Sequence, residues 1–164
     1  MGWIQCIGNN GGGGSASLGT ELVCLNCVGN DATEIPQVDS LEDYNDYSSY
    51  LSFDTTTRKF TVLQAFTAIF TGWVRNYALA SSSYSKGQII LNNTMIANYV
   101  VNARAIDTKA GTTLTVALSQ GDSFWVYTPN DDGYPEQHLK VYRTDYLTQD
   151  INDVLSFSDE GANA

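Results

Sequence analysis

Residues Phe53-Asp-Thr-Thr-Thr-Arg-Lys-Phe-Thr-Val-Leu-Gln-Ala-Phe-Thr-Ala-Ile-Phe70 decide the fold class. The stretch is aromatic and β-branched, is broken by short polar runs and shows almost no helical period. It holds the end of one strand at Phe53, a second strand at Lys59–Val62 and the start of a third at Phe66. The same texture continues on both sides. Strands are predicted at Tyr47–Phe53, Lys59–Val62, Phe66–Tyr77, Gly87–Leu91, Met95–Ala105, Thr112–Ser119, Ser123–Tyr127 and Gln137–Thr144. Period two is plain in the sixth of these. Leu114, Val116 and Leu118 share one face, with Thr113, Thr115 and Ala117 on the other. Turn residues fall between the runs, at Asn92-Asn93, Lys109-Ala-Gly111, Gln120-Gly121-Asp122 and Pro129-Asn-Asp-Asp-Gly133. Short strands at such spacing predict an all-β, two-sheet jelly-roll sandwich.

Outward from this body the composition changes. The 164 residues suit one domain, with 18 acids against 8 bases. Seven of the acids lie in residues 1–50 and five in 144–164, and neither flank holds a Lys or Arg. The body, 51–143, has a net charge of +2 and the flanks together −12. That excludes a nucleic-acid binder, which needs a cationic footprint, and a polybasic membrane-surface protein. The longest uncharged, apolar-rich stretch, Phe60–Val74, is too polar and short to span a bilayer, so no membrane insertion is expected. Residues 1–19 form a Gly-rich leader without the basic start and apolar run of a signal peptide. Residues 20–29 read as one short strand, and 30–46 as an acidic connector. We therefore expect an extended N-terminal attachment arm at 1–46, including Trp3, Ile4, Cys6, Cys24 and Cys27, and a head at 47–164. A last strand is expected near Val154–Phe157.

Enzyme chemistry finds little support. There is one histidine, His138, and no G-x-S-x-G or phosphate-binding glycine motif. No catalytic residue, cofactor or resident metal is expected. Cys24-Leu-Asn-Cys27 has C-x-x-C spacing but lacks the further ligands of a zinc site. Three cysteines do not make a disulfide scaffold, so buried small residues of a strand are the expectation, with a metal or disulfide shared across subunits as the alternative. The acidic runs at 41–46 and 130–133 lack the spacing of a calcium-binding hand and are expected to be solvated.

The opening block resembles the central signature of the C1q and tumour-necrosis-factor-like jelly-roll family. Phe53, Asp54, Thr57, Phe60 and Phe70 match it without a gap. Arg58, Leu63, Phe66 and Ala68 stand where the family has Gly, Pro, Gly and Tyr. Leu114-Thr-Val-Ala-Leu-Ser-Gln-Gly-Asp-Ser-Phe-Trp-Val-Tyr127 is similar to the family's late hairpin. The resemblance covers residues 45–147 and implies a jelly roll of about ten strands working as a homotrimer. Interface candidates are Phe66, Phe70, Trp73, Tyr99, Phe124, Trp125 and Tyr127, since excess aromatics suit interfaces.

Family members commonly carry a signal peptide or collagen-like stalk, and this leader has neither. The setting it resembles is a bacteriophage virion: a trimeric fibre, knob or head-decoration protein, assembled in the host cytoplasm and displayed on the particle surface. Residues 1–46 would dock on other virion proteins. The head would bind a host-surface glycan or receptor through loops, with Tyr84, Asp131, Asp132 and Tyr134 as candidates. The alternatives are a bacterial C1q-like surface or spore-coat ligand and a glycan depolymerase.

Overall fold

The computed structural model describes residues 19–28, 35–76, 84–102, 108–129 and 135–144. Among them are ten strands: β1 (Thr20–Val28), β2 (Gln37–Asp43), β3 (Leu51–Asp54), β4 (Lys59–Val62), β5 (Phe66–Asn76), β6 (Tyr84–Leu91), β7 (Thr94–Asn102), β8 (Lys109–Leu118), β9 (Ser123–Tyr127) and β10 (Pro135–Arg143). A single helical turn, α1 (Tyr47–Tyr50), leads into β3. The strands form two five-stranded sheets, here sheet A in the order β2-β1-β10-β5-β8 and sheet B in the order β3-β4-β9-β6-β7. All their pairings are antiparallel. This is a jelly-roll sandwich, as the sequence predicts.

Its centre is a column of phenylalanines. Phe53 pairs with Phe60 across β3 and β4, and Phe60 with Phe124 across β4 and β9. Their ring centroids lie 4.7 and 4.8 Å apart, and Phe70 of sheet A approaches Phe124 to 4.9 Å. The column joins the two sheets through edges and faces of aromatic rings, a favoured packing. Leu22, Leu25, Leu51, Val62, Ile89, Leu139 and Val141 close around it. Leu114, Val116 and Leu118 face this core and Thr113, Thr115 and Ala117 are exposed, as their alternation requires.

A polar bridge also crosses the core. Tyr99 of β7 lies against Gly87 of β6 and Gly72 of β5, one glycine from each sheet. Its hydroxyl donates to Gln137 Oε1 at 3.3 Å. Gln137 Nε2 donates to the Tyr127 carbonyl at 3.0 Å and to Thr128 Oγ1. Each buried polar group thereby has a partner, as burial demands.

The described turns at Asn92-Asn93 and Gln120-Gly121-Asp122 behave as their residues suggest. Asp54 Oδ1 accepts the backbone N–H groups of Thr56 and Thr57 at 2.8 and 3.2 Å. Arg58, at the position where the resembled signature has glycine, takes a left-handed φ of 57°. That geometry explains the glycine preference. Its Nη1 donates to the Ile35 carbonyl at 2.8 Å. Between β8 and β9, Asp122 accepts the Ser119 N–H at 2.7 Å and Asn92 Nδ2 at 2.8 Å, tying this turn to the β6–β7 turn. These bonds, the Ser119 one foremost, hold the Asp122 carboxyl below its ordinary range. Asp122→Ala is expected to cost about 1 kcal/mol, since the carboxylate is mostly solvated. A thermal melt against wild type would measure it.

Four expectations need correction. Lys109-Ala-Gly111, expected as a turn, forms the start of β8 and pairs with β5. Tyr47–Tyr50 is a helical turn, and the strand starts only at Leu51. The connector 30–46 contains a true strand, β2, paired with β1. Strands β1 and β2 also belong to sheet A, with β1 between β2 and β10. A boundary at 46/47 therefore cuts through the sandwich, and an arm can extend only N-terminal to Thr20. The expected strand at Val154–Phe157 and residue Tyr77 lie outside the described residues.

Candidate interaction site

The outward face of sheet A is built in rows fixed by strand register. One row runs Ser40, Asn26, His138, Trp73, Gly111, and the next Glu42, Cys24, Lys140, Thr71, Thr113. A third holds Tyr142, Ile69 and Thr115, and a fourth Glu136, Arg75 and Lys109. Cross-strand neighbours of one row touch. The Trp73 and His138 rings stack at 3.7 Å between centroids and 10° between planes. Lys109 Nζ sits 4.7 Å from the Trp73 ring centroid, a cation–π distance. Glu136 lies 3.3 Å from both Arg75 Nε and His138 Nε2, and Lys140 Nζ lies 3.6 Å from Glu21.

A hollow of about 250 Å³ opens on this face, lined by Cys24, Thr71, Trp73, His138, Lys140 and Tyr142. Its surroundings are unevenly exposed. Cys24 is 1% exposed, His138 7% and Tyr142 9%, although all three point away from the core. On the β8 rim, by contrast, Lys109, Thr113, Thr115 and Ala117 are exposed.

Burial and nearby cations push the His138 imidazole down to about 4. The cations are Lys109, Arg75 and Lys140; Asp39 opposes them. A depressed histidine binds fewer protons folded than unfolded between pH 4 and 6.5. Its contribution to stability is therefore full above pH 6.5 and is lost as pH falls toward 4. Glu136 is raised, first by burial, and works in the opposite sense. The net acid loss should be about 1–2 kcal/mol after allowance for partial solvation. In His138→Gln the melting temperature should vary less with pH across this window, whereas an unchanged slope would remove His138 as the cause.

The two cysteines of the C-x-x-C pair stand three apart on β1 and so on opposite faces. Cys24 is on the outward face and is disulfide-bonded; Cys27 is free and buried in the core. Burial pushes the Cys27 thiol up to about 12, so it is neither thiolate nor metal ligand at neutral pH. A ligand pair is geometrically closed, and the disulfide at Cys24 corrects the expectation of simple buried thiols. Neither cysteine lies in an arm. Among the described residues no three His, Cys, Asp or Glu side chains converge as a metal site, and no helix is long and apolar enough to cross a membrane.

The seven aromatic interface candidates do not share a surface. Phe70, Tyr99 and Phe124 face the core and are removed from the interface set. Phe66 is half-buried against Tyr50, at 5.2 Å. Trp73 points outward on sheet A. Trp125 and Tyr127 point outward on sheet B, where Lys59 Nζ covers the Trp125 ring at 3.9 Å. The nearby Met95 and Val100 are 52% and 40% exposed and were not among the candidates. Of the loop candidates, Tyr84 begins β6 opposite Asn102. Asp131, Asp132 and Tyr134, with Trp3, Ile4 and Cys6, lie outside the described residues. Sequence reading missed the row His138–Trp73–Gly111, which appears only once the β10–β5–β8 register is known.

No protein-family model and no curated protein matches the chain. Solved structures do. The globular domain of zebrafish complement 1qA matches with a TM-score of 0.53 at 11% identity, over 76% of this chain and 98% of that one. Murine APRIL matches with a TM-score of 0.52 at 12% identity, over 73% and 98%. Eiger TNF from S. frugiperda matches with a TM-score of 0.50 at 10% identity, over 78% and 96%. The chain thus has the jelly-roll fold of C1q and TNF proteins.

Proposed function

We propose that this chain is a non-enzymatic structural protein of a bacteriophage particle, a homotrimeric knob, fibre or head-decoration protein held by its N-terminal segment. The observation that carries the assembly reading is the outward face of sheet A. Stacked Trp73 and His138, paired charges and half-buried Ile69 are ill suited to open solvent, while Thr113, Thr115 and Ala117 offer a small-residue rim to a neighbour. The fold supports it too, being shared with complement and TNF proteins. Three copies bring −36 in residues 1–50 and 144–164, but Glu21, Asp39, Glu42, Asp43 and Asp46 belong to the sandwich, so attachment falls to the uncharged residues N-terminal to Thr20. A disulfide at Cys24 suits a surface exposed outside the reducing cytoplasm. The segment with Asp131, Asp132 and Tyr134 is assigned to host glycan or receptor contact.

The test is the protein's location. Peptide mapping of purified phage particles should recover it at a copy number divisible by three. Recovery only from the bacterial envelope or spore coat would overturn the phage setting in favour of a cellular ligand. New reducing ends from host polysaccharide treated with the pure protein would overturn the non-enzymatic reading.

A further inference from the structure

We propose that the outward face of sheet B binds an acidic polysaccharide, with Gln88, Asn98 and Tyr127 contacting the sugars and Lys59 and Lys86 the carboxylates. The proposal rests on the reading that the head contacts a host glycan, and it adds a sheet surface to the loop segment assigned there. It leaves the outward face of sheet A to the neighbouring chain, because the two faces belong to different sheets of the sandwich.

Register builds this face. Ser85, Gly87 and Ile89 turn inward on β6, so Lys86, Gln88 and Ile90 point out. One outward row runs Met95, Ile90 and Trp125. Lys59 of β4 closes that row, its Nζ 3.9 Å from the Trp125 ring centroid. The next row runs Asn98, Gln88 and Tyr127, and Lys86 follows two residues further along β6.

The middle row has the chemistry of a sugar contact. Gln88 Nε2 donates to Asn98 Oδ1 at 3.2 Å on the exposed surface. Each amide thereby spends one group on the other. Gln88 Oε1 and Asn98 Nδ2 remain, an acceptor and a donor on neighbouring strands. Sugar hydroxyls both donate and accept, so two adjacent ones match such a pair. Lys59 covers the Trp125 ring, which leaves half-buried Tyr127 as the aromatic neighbour of the amides.

Charge and size select the ligand. The chain carries 18 acids against 8 bases. Yet the five strands of sheet B hold two lysines, Lys59 and Lys86, and one acid, Asp54. Asp54 stands at the end of the edge strand, with Oδ1 taken by its own turn. A cationic face on an acidic protein is complementary to a carboxylated polymer. Across β7, β6, β9 and β4 the face measures about 300 Å². A stable protein contact takes about 800 Å² per partner. A repeating polymer needs less per copy, because linked copies of the head bind it with avidity.

The test passes full-length protein over immobilised oligogalacturonate and, in parallel, neutral maltoheptaose, at low and high salt. Binding should favour the acidic chain and weaken with salt. Gln88→Leu, and Lys59→Gln combined with Lys86→Gln, should each weaken it about tenfold at unchanged melting temperature and solution mass. Should Gln88→Leu melt early, Gln88→Glu replaces it and should weaken binding by repulsion. Equal binding by wild type and variants would overturn the sheet B site while the glycan reading stands. Stronger binding to maltoheptaose would overturn the acidic class. Binding to neither chain would remove the site and the glycan reading together. Assemblies larger than three chains that break up in Met95→Glu would put a second copy on this face and overturn the proposal.

Discussion

Phe124→Ala is expected to lower the unfolding free energy by about 3–5 kcal/mol, the largest effect of any single substitution considered. Phe124 is fully buried and touches the stack on both sides, Phe60 at 4.8 Å and Phe70 at 4.9 Å. It is the ring through which sheet B meets sheet A. Its removal forfeits the buried area and leaves a cavity that two rigid sheets cannot close. Phe124→Leu should lose less than half as much, because most of the volume stays. Urea unfolding at neutral pH gives both numbers. A loss under about 1 kcal/mol for the alanine variant would mean that the column is not the centre of the core.

Gly87→Ala should be nearly as damaging, at about 3 kcal/mol. A Cβ at Gly87 would sit 2.1 Å from Tyr99 Cε2 and 2.9 Å from Gln137 Oε1. Tyr99 is 4% exposed, and its hydroxyl is held by Gln137, so the ring cannot swing away without breaking the polar bridge. Burial also raises the Tyr99 phenol well above its ordinary range, so the hydroxyl stays a donor at any working pH. The two positions should be coupled. In a Tyr99→Ala background the added methyl should cost little, a non-additivity that a double-mutant cycle reads directly. Equal costs in both backgrounds would place the strain elsewhere.

Much of this architecture was legible in the chain. Lys59–Val62 and Ser123–Tyr127 were bounded correctly because turn residues flank them closely. The Phe53, Phe60 and Phe70 matches of the opening block became three of the four column rings. Strand β2 was hidden for a physical reason. Its core contacts, Val38 and Leu41, are three residues apart, because a bulge against Asn26 and Cys27 inserts one residue. A bulge breaks the period of two that marks a strand. Tyr47–Tyr50 misled in the opposite way, since a Tyr-rich tetrapeptide carries strand propensity yet closes one helical turn.

The candidate site was less readable. Aromatic type alone does not distinguish a core ring from a surface ring. Phe124 and Trp125 are adjacent and face opposite ways, as neighbours on a strand must. The Trp73–His138 stack joins residues 65 positions apart, through pairing of β5 with β10. Cys24 and Cys27 looked like a pair in sequence and were separated by the sheet itself.

The claim at the centre of this account is that the jelly roll works as a threefold assembly. Light scattering of the full-length protein at micromolar concentration and neutral pH tests it most directly. Three chains of 17.9 kDa predict a single species of about 54 kDa that persists on dilution. A stable 17.9 kDa species, with the leader intact and the disulfide formed, would contradict it.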